Sequence, residues 1–176
     1  GTLTTPRGTG PFPAVVLVHG SGPADRDASV GPNRPFKDLA FGLASRGVAV
    51  LRFEKRTRHH GKKIDMETFG LDDESVVDAI AAVELLAKDR AIDAAKIFVA
   101  GHSLGGTLAP RIAERSKSVA GIAILAGATR GIPEMMIEQM TYIASLDGRD
   151  SDDERKAIED VKKAQARIRE LQAGAT

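Results

Sequence analysis

A segment past the middle of the chain, residues 96–106, contains the residue types best suited to covalent chemistry. Gly101, Ser103 and Gly105 form a G-x-S-x-G sequence between a predicted strand and a predicted helix. A serine at such a turn adopts a strained backbone conformation, and the glycines two positions away on each side leave room for the turn. The helix that follows points its first N–H groups at the negative charge that forms when a carbonyl group is attacked. The pattern therefore predicts that Ser103 is a nucleophile.

An oxyanion formed at Ser103 requires two hydrogen-bond donors. The backbone N–H of Leu104, directly after the nucleophile, is the first candidate. The second is expected in the glycine-rich loop that ends the first buried strand, because glycine lets a backbone approach a ligand closely. We predict that the N–H of Ser21 is this donor, with Gly22 as the second choice. Taken alone, the loop is also compatible with a simple tight turn.

The elements that position these residues alternate between strand and helix. Strands are predicted at residues 13–19, 48–53, 96–100 and 119–126, and helices at residues 36–46, 72–90 and 104–116. A short antiparallel edge strand is expected at residues 2–5. This order predicts a three-layer α/β/α fold with a mostly parallel sheet and right-handed crossovers.

The pattern changes after Gly127, where two helices are predicted without an intervening strand, at residues 133–146 and 151–172. Ser151 and Glu154 form a capping box at the start of the second helix. An apolar stripe runs along that helix, which is typical of packing surface. We therefore divide the chain into a core at residues 1–132 and a helical segment at residues 133–176. That segment either packs only or acts as a lid over a substrate.

Composition narrows the classes of function. The 176 residues carry a net charge of +1, which does not favour nucleic acid as a partner. The absence of cysteine excludes disulfides, thiolate metal sites and cysteine nucleophiles. No apolar stretch reaches the roughly 20 residues of a membrane span. We expect a soluble chain whose compartment the sequence does not define, with the cytoplasm slightly favoured, and we predict no metal and no organic cofactor.

Three segments together resemble the α/β-hydrolase superfamily, and in particular bacterial carboxylesterases of the dienelactone-hydrolase-like group. They are HGSGPADRD at residues 19–27, LRFEKRT at residues 51–57 and GHSLGG at residues 101–106. The resemblance extends from residue 1 to about residue 146. It implies hydrolysis of a small-molecule ester through an acyl-enzyme, with a Ser, Asp or Glu, His triad in that chain order. Of this triad, only Ser103 is assigned in the sequence.

The resemblance places the triad acid and histidine after later strands than any predicted here. We therefore expect a fold truncated after about the sixth strand of the family, with an exposed sheet edge that favours self-association. A serine without a base stays protonated at neutral pH, so weak or absent activity is expected of this chain alone. The alternative is a non-catalytic module, either a pseudo-hydrolase or a truncated binding domain.

The histidines of the sequence offer few substitutes for the missing base. His19 and His102 are interpreted as structural. His59 and His60 lie in a predicted basic loop that faces the same rim as Ser103, so a surrogate base there is a weaker alternative. A metal pair is weaker still, because the two histidines are adjacent and not spaced i, i+4.

Two charged clusters complete the inventory of candidate residues. Residues 25–27 (Asp-Arg-Asp) are predicted to form ion pairs that fix their loop, with binding of a polar substrate group as the alternative. Residues 54–56 (Glu-Lys-Arg) recur in the resembled enzymes, and we assign them no role in the chemistry.

Overall fold

The computed structural model describes residues 1–65, 67–146 and 151–174. The chain forms two compact units, Gly1–Gly127 and Ala128–Thr176. The helices and strands of the first unit are β1 (Thr2–Thr4), β2 (Phe12–Val18), α1 (Pro35–Ala44), β3 (Ala49–Arg52), α2 (Arg56–His60), α3 (Val77–Ala87), β4 (Ile92–His102), α4 (Leu104–Arg115) and β5 (Gly121–Leu125).

The five strands form one sheet in the order β1-β3-β2-β4-β5. Strand β2 runs parallel to β3 and β4, β4 runs parallel to β5, and β1 pairs with β3 in the antiparallel sense. The predicted mostly parallel sheet with an antiparallel edge strand is confirmed. Since the carboxyl ends of parallel strands meet at one edge, the loops after β2, β3 and β4 all emerge there.

Helices cover both faces of the sheet, because alternate side chains of β2 point to opposite sides. Val16 and Val18 belong to a buried cluster with residues of α3 and α4. Leu17 lies on the other face, in a cluster with Phe36 and Ala40 of α1. Strands β2 and β3 are therefore largely buried on both sides, which fits their mainly apolar sequences, whereas most residues of β5 are exposed.

Some predicted boundaries were wrong. The predicted basic loop after β3 contains α2, whose first turn is closed by a hydrogen bond from the Arg58 N–H to the Lys55 carbonyl (3.0 Å). The predicted helix at residues 72–90 begins with a wide π turn, Asp72–Val76, and its α-helical part ends at Ala87. Strand β4 is longer than predicted at both ends: Ile92 pairs with β2, and Gly101 and His102 pair with β5. The described residues hold five strands.

The second unit consists of two helices, α5 (Ile132–Leu146) and α6 (Asp152–Ala173). The predicted capping box is confirmed: the Glu154 N–H donates to Ser151 Oγ (3.2 Å), and that hydroxyl donates to the Glu154 carboxylate (2.7 Å). Gln165 and Arg169 of α6 donate to Glu134 of α5. The lid role of this segment and self-association of the chain stay predictions. No helix in the described parts of the chain has the length and apolarity needed to cross a membrane.

Candidate active site

Ser103 occupies a sharp turn between β4 and α4. Its backbone has φ 52° and ψ −118°, a left-handed conformation that is unusual for a residue with a side chain. Such a conformation costs of order 1–3 kcal/mol and persists only where the surroundings enforce it. Here the Ser103 N–H donates to the Leu125 carbonyl (2.9 Å), and the Ser103 carbonyl accepts from the Thr107 N–H (2.9 Å). The turn predicted from the G-x-S-x-G sequence is thus fixed on both sides.

The two glycines of the motif are required by close backbone contacts. A Cβ atom at Gly101 would lie 2.2 Å from the Gly105 carbonyl oxygen. A Cβ atom at Gly105 would lie 2.5 Å from the carbonyl oxygens of both Val18 and His19. Because these obstacles are backbone atoms, no side-chain movement relieves them. The motif therefore packs the start of α4 directly against the end of β2.

Ser103 lines a cavity of about 460 Å³ together with the loop after β2. Gly20 lies next to the serine, since a Cβ atom at this position would be 3.2 Å from Ser103 Cβ and 3.6 Å from its Oγ. His102 also lines the cavity, beside Gly20. The described residues that complete the wall are mostly apolar and include Pro23, Val30, Pro35, Phe36, Leu39 and Leu125. None of the described lining residues is acidic, lysine or arginine.

Of the two predicted oxyanion donors, Ser21 lines this cavity, and Leu104 directly follows Ser103, which also lines it. Leu104 is the first residue of α4, and the first N–H groups of a helix have no acceptor within the helix. Ser21 lines the cavity directly after Gly20 and is exposed, as is Gly22, the second choice. No hydrogen bond from the Ser21 N–H to another described residue is formed. The structure thus brings Ser103, Leu104 and the Ser21 loop to one side of the sheet edge.

His19 is buried behind this loop, with 1% of its surface exposed. Its ring lies between the rings of Phe36 (4.8 Å) and Phe53 (5.6 Å), and neither ring nitrogen has a partner of normal hydrogen-bond geometry. Burial lowers the pKa of His19 to about 4, although the nearby backbone of Asp25 acts in the opposite direction. The residue is therefore neutral at physiological pH, which suits a packing role.

His59 and His60 are not brought to Ser103. They line a separate cavity with residues of β3 and α3. His59 Nε2 lies 3.3 Å from the Glu54 carboxylate and its side chain is exposed. No group of three or more potential metal ligands occurs among residues 1–65, 67–146 and 151–174.

Charged residues at the end of β3 and in the neighbouring segments form four ion pairs, which we call the ion-pair layer. They join the loops after β2 and β3 to each other and to the start of α3: Asp27–Arg52, Arg26–Glu54, Lys55–Glu74 and Arg56–Asp78. Arg26 holds the pKa of Glu54 below its ordinary value, and the Ser29 backbone N–H does the same for Asp25. The ion pairs predicted for residues 25–27 form at Arg26 and Asp27, whereas the described contacts of the Asp25 carboxylate include backbone N–H groups of its own loop and no ion pair. The partners of these residues and the burial of Lys55, whose side chain is 2% exposed, were not predicted.

Comparison with known proteins defines the family to which this chain belongs. The sequence profile of the alpha/beta hydrolase family matches residues 15–171. This chain belongs to the alpha/beta hydrolase family, and the predicted superfamily resemblance is confirmed. Over 146 residues it is 49% identical to the esterase EstD of Thermotoga maritima, a match that covers 83% of this chain and 34% of the relative. The chain thus spans about a third of the length of the curated relative that it matches.

Solved structures support the fold. The 2,6-dihydroxy-pseudo-oxynicotine hydrolase superimposes with a TM-score of 0.60 at 21% identity, over 91% of this chain and 41% of that one. Acetyl xylan esterase 1 from Thermoanaerobacterium sp. JW/SL YS485 gives a TM-score of 0.56 at 15% identity, over 87% of this chain and 54% of that one. At these identities the likeness concerns the fold alone.

Proposed function

We propose that this chain is the nucleophile-bearing part of a serine hydrolase that cleaves carboxylic esters through an acyl-enzyme. The observation that carries the proposal is the strained backbone of Ser103, at φ 52°, at the wall of a cavity beside the first turn of α4. Backbone strain of this kind is concentrated at functional sites. In the proposed enzyme it presents the Ser103 hydroxyl group to the carbonyl group of a bound substrate. The 49% identity to a protein named an esterase favours ester chemistry over the other reactions of the fold.

In the proposed reaction, Ser103 Oγ attacks the ester carbonyl carbon while a general base takes the hydroxyl proton. The backbone N–H groups of Leu104 and Ser21 donate to the resulting oxyanion. Collapse of this intermediate expels the alcohol, which regains the proton, and water then hydrolyses the acyl-serine by the same steps. We assign the base to a histidine outside this sequence, as family membership implies, because no described histidine is hydrogen bonded to Ser103.

The cavity wall indicates the kind of ester. Its described residues offer aliphatic and proline surface, one phenylalanine and no ionised side chain of the Asp, Glu, Lys or Arg type. A carboxylate or ammonium group on the substrate would lose its hydration there without gaining an ion pair. We therefore propose an ester with an uncharged, mainly apolar acyl or alcohol group.

The test is labelling with a fluorophosphonate, followed by intact-mass measurement, of this chain alone and of a longer protein that also supplies the proposed triad histidine. One adduct per chain that disappears in Ser103→Ala supports the proposal. Ser29→Ala is the matched control, because this serine lines the same cavity and is expected to be irrelevant to labelling. Absence of any adduct on the longer protein would favour the alternative, a non-catalytic module that lacks the triad acid and base.

A further inference from the structure

Lys55, directly beyond the end of β3, has the largest fully buried side chain among the described residues. An ammonium group out of contact with water is unfavourable unless other groups satisfy it. Two groups do so here: the Lys55 Nζ donates to the Gly20 carbonyl oxygen (2.7 Å) and forms an ion pair with Glu74. The Gly20 carbonyl oxygen and the Glu74 carboxylate are therefore the groups that compensate for burial of the Lys55 ammonium group.

The same residue also holds the other end of the Ser21 loop. The Lys55 backbone N–H donates to the Ala24 carbonyl oxygen (3.1 Å). The segment from Gly20 to Ala24 is thus bonded to Lys55 at its first and last residue. This segment contains two glycines and its middle is exposed, so its backbone has little else among the described residues to fix it.

The bond to Gly20 acts on the peptide group that carries the proposed oxyanion donor. The Gly20 carbonyl and the Ser21 N–H belong to one planar trans peptide group, so they point in opposite directions. With the carbonyl oxygen held against the buried Lys55 ammonium, the N–H points away from it. Rotation of this peptide by half a turn would present a carbonyl oxygen, which repels an oxyanion.

We propose that Lys55 is a positioning residue that orients the Gly20–Ser21 peptide so that the Ser21 N–H serves as oxyanion donor; this inference rests on the proposed function. The positive charge at the carbonyl also polarises the peptide and makes its N–H a stronger donor. Glu74, at the π turn before α3, balances the ammonium charge and fixes the lysine side chain. The π turn thus carries the carboxylate that pairs with Lys55.

The test compares the double variant Lys55→Met/Glu74→Gln with Glu74→Gln alone. Both lack the buried carboxylate charge, and only the double variant lacks the bond to Gly20. Arg56→Met is the matched control, because it breaks the neighbouring pair with Asp78 and does not touch the Ser21 loop. The first measurement is the NMR shift of the Gly20 carbonyl carbon and the Ser21 amide nitrogen, which does not depend on reactivity of Ser103.

We expect both NMR shifts to change in the double variant only, and its rate of fluorophosphonate labelling to fall roughly 10-fold or more below that of Glu74→Gln. Unchanged shifts, or a labelling rate equal to that of Glu74→Gln, would overturn the inference. If this chain alone is not labelled, the labelling rates are compared in the longer protein that supplies the proposed histidine. If that protein is not labelled either, the proposed function fails, and the NMR shifts alone decide whether Lys55 orients the peptide. Should the double variant not fold, a scalar coupling across the hydrogen bond from Lys55 Nζ to the Gly20 carbonyl carbon is sought in the parent: its presence supports the inference and its absence overturns it.

Discussion

The Ser103 cavity and the ion-pair layer lie at the same edge of the sheet but are built from different groups. The cavity is lined by glycine, serine, proline and apolar side chains, with two histidines as its described titratable groups. The layer behind it consists of four pairs between acidic and basic side chains, two of them with a cation that is nearly out of contact with solvent. The comparison indicates that ion pairs fix the loops around the site. The surface that faces a ligand consists of backbone groups, uncharged side chains and the Ser103 hydroxyl group.

Gly105→Ala is expected to have one of the two largest effects on this arrangement. The added methyl group would lie 2.5 Å from two backbone oxygens, so α4 must move away from β2. We expect a loss of about 3 kcal/mol in the free energy of unfolding, measured by urea titration. Gly61→Ala, with open space around the new methyl group, is the control. Equal effects of the two substitutions would show that the elbow is not tightly packed.

Arg52→Met tests the ion-pair layer. The Arg52 side chain is 5% exposed and pairs with Asp27, so its removal leaves a partly buried carboxylate without its cation. We expect a loss of about 3 kcal/mol in the free energy of unfolding. The double variant Arg52→Met/Asp27→Asn should recover part of this loss. A double variant as unstable as the single one would mean that the arginine stabilises through packing and not through charge.

His19 is expected to make the free energy of unfolding depend on pH. Burial lowers its pKa from 6.5 to about 4 in the folded chain. Between these values the unfolded chain binds more protons, so stability falls as the pH falls. From about pH 7.5 to about pH 5 this histidine should remove about 2 kcal/mol of unfolding free energy. His19→Phe keeps an aromatic ring between Phe36 and Phe53 and should flatten the pH dependence in this range. An unchanged slope would contradict the assignment.

The smallest effect is expected where an ion pair is exposed. Arg130 pairs with Glu138 in the second unit, and their side chains are 61% and 53% exposed. Water and salt screen such a pair, so Arg130→Met should change the free energy of unfolding by less than about 0.5 kcal/mol. Measured beside Arg52→Met, it separates the contribution of burial from that of charge. A loss as large as that of Arg52→Met would refute the distinction.

The features of this structure that could be predicted from the sequence depend mainly on residues close to one another in the chain. The G-x-S-x-G sequence predicts the strained Ser103 conformation because the turn spans only a few residues and Gly101 must avoid the Gly105 carbonyl, four residues away. The parallel strands follow from short apolar runs that only a doubly covered sheet explains. The capping box at Ser151 is likewise contained in four residues, and the structure confirms it.

The part that sequence reasoning misses depends on distant partners. Lys55 and Gly20 are 35 residues apart, and neither residue type predicts the hydrogen bond between them. Helix α2 was missed because its five residues include no apolar side chain and so give no periodicity. The π turn at residues 72–76 escaped for a related reason, since its acidic residues pair with other segments and not within the helix.

The bond between Lys55 and the Gly20 carbonyl also has a consequence for the order in which the chain folds. It closes a loop of 35 residues and joins segments that follow two neighbouring parallel strands, so it forms only after β2 and β3 have paired. Contacts of long sequence separation form late, because the chain loses entropy before it gains the contact. The elbow at Ser103 depends on segments still farther apart in sequence, because Gly105 packs against the backbone of Val18 and His19. Both sides of the proposed oxyanion site therefore depend on contacts that form late. A nascent or partly unfolded chain therefore carries the serine without the environment that we propose activates it.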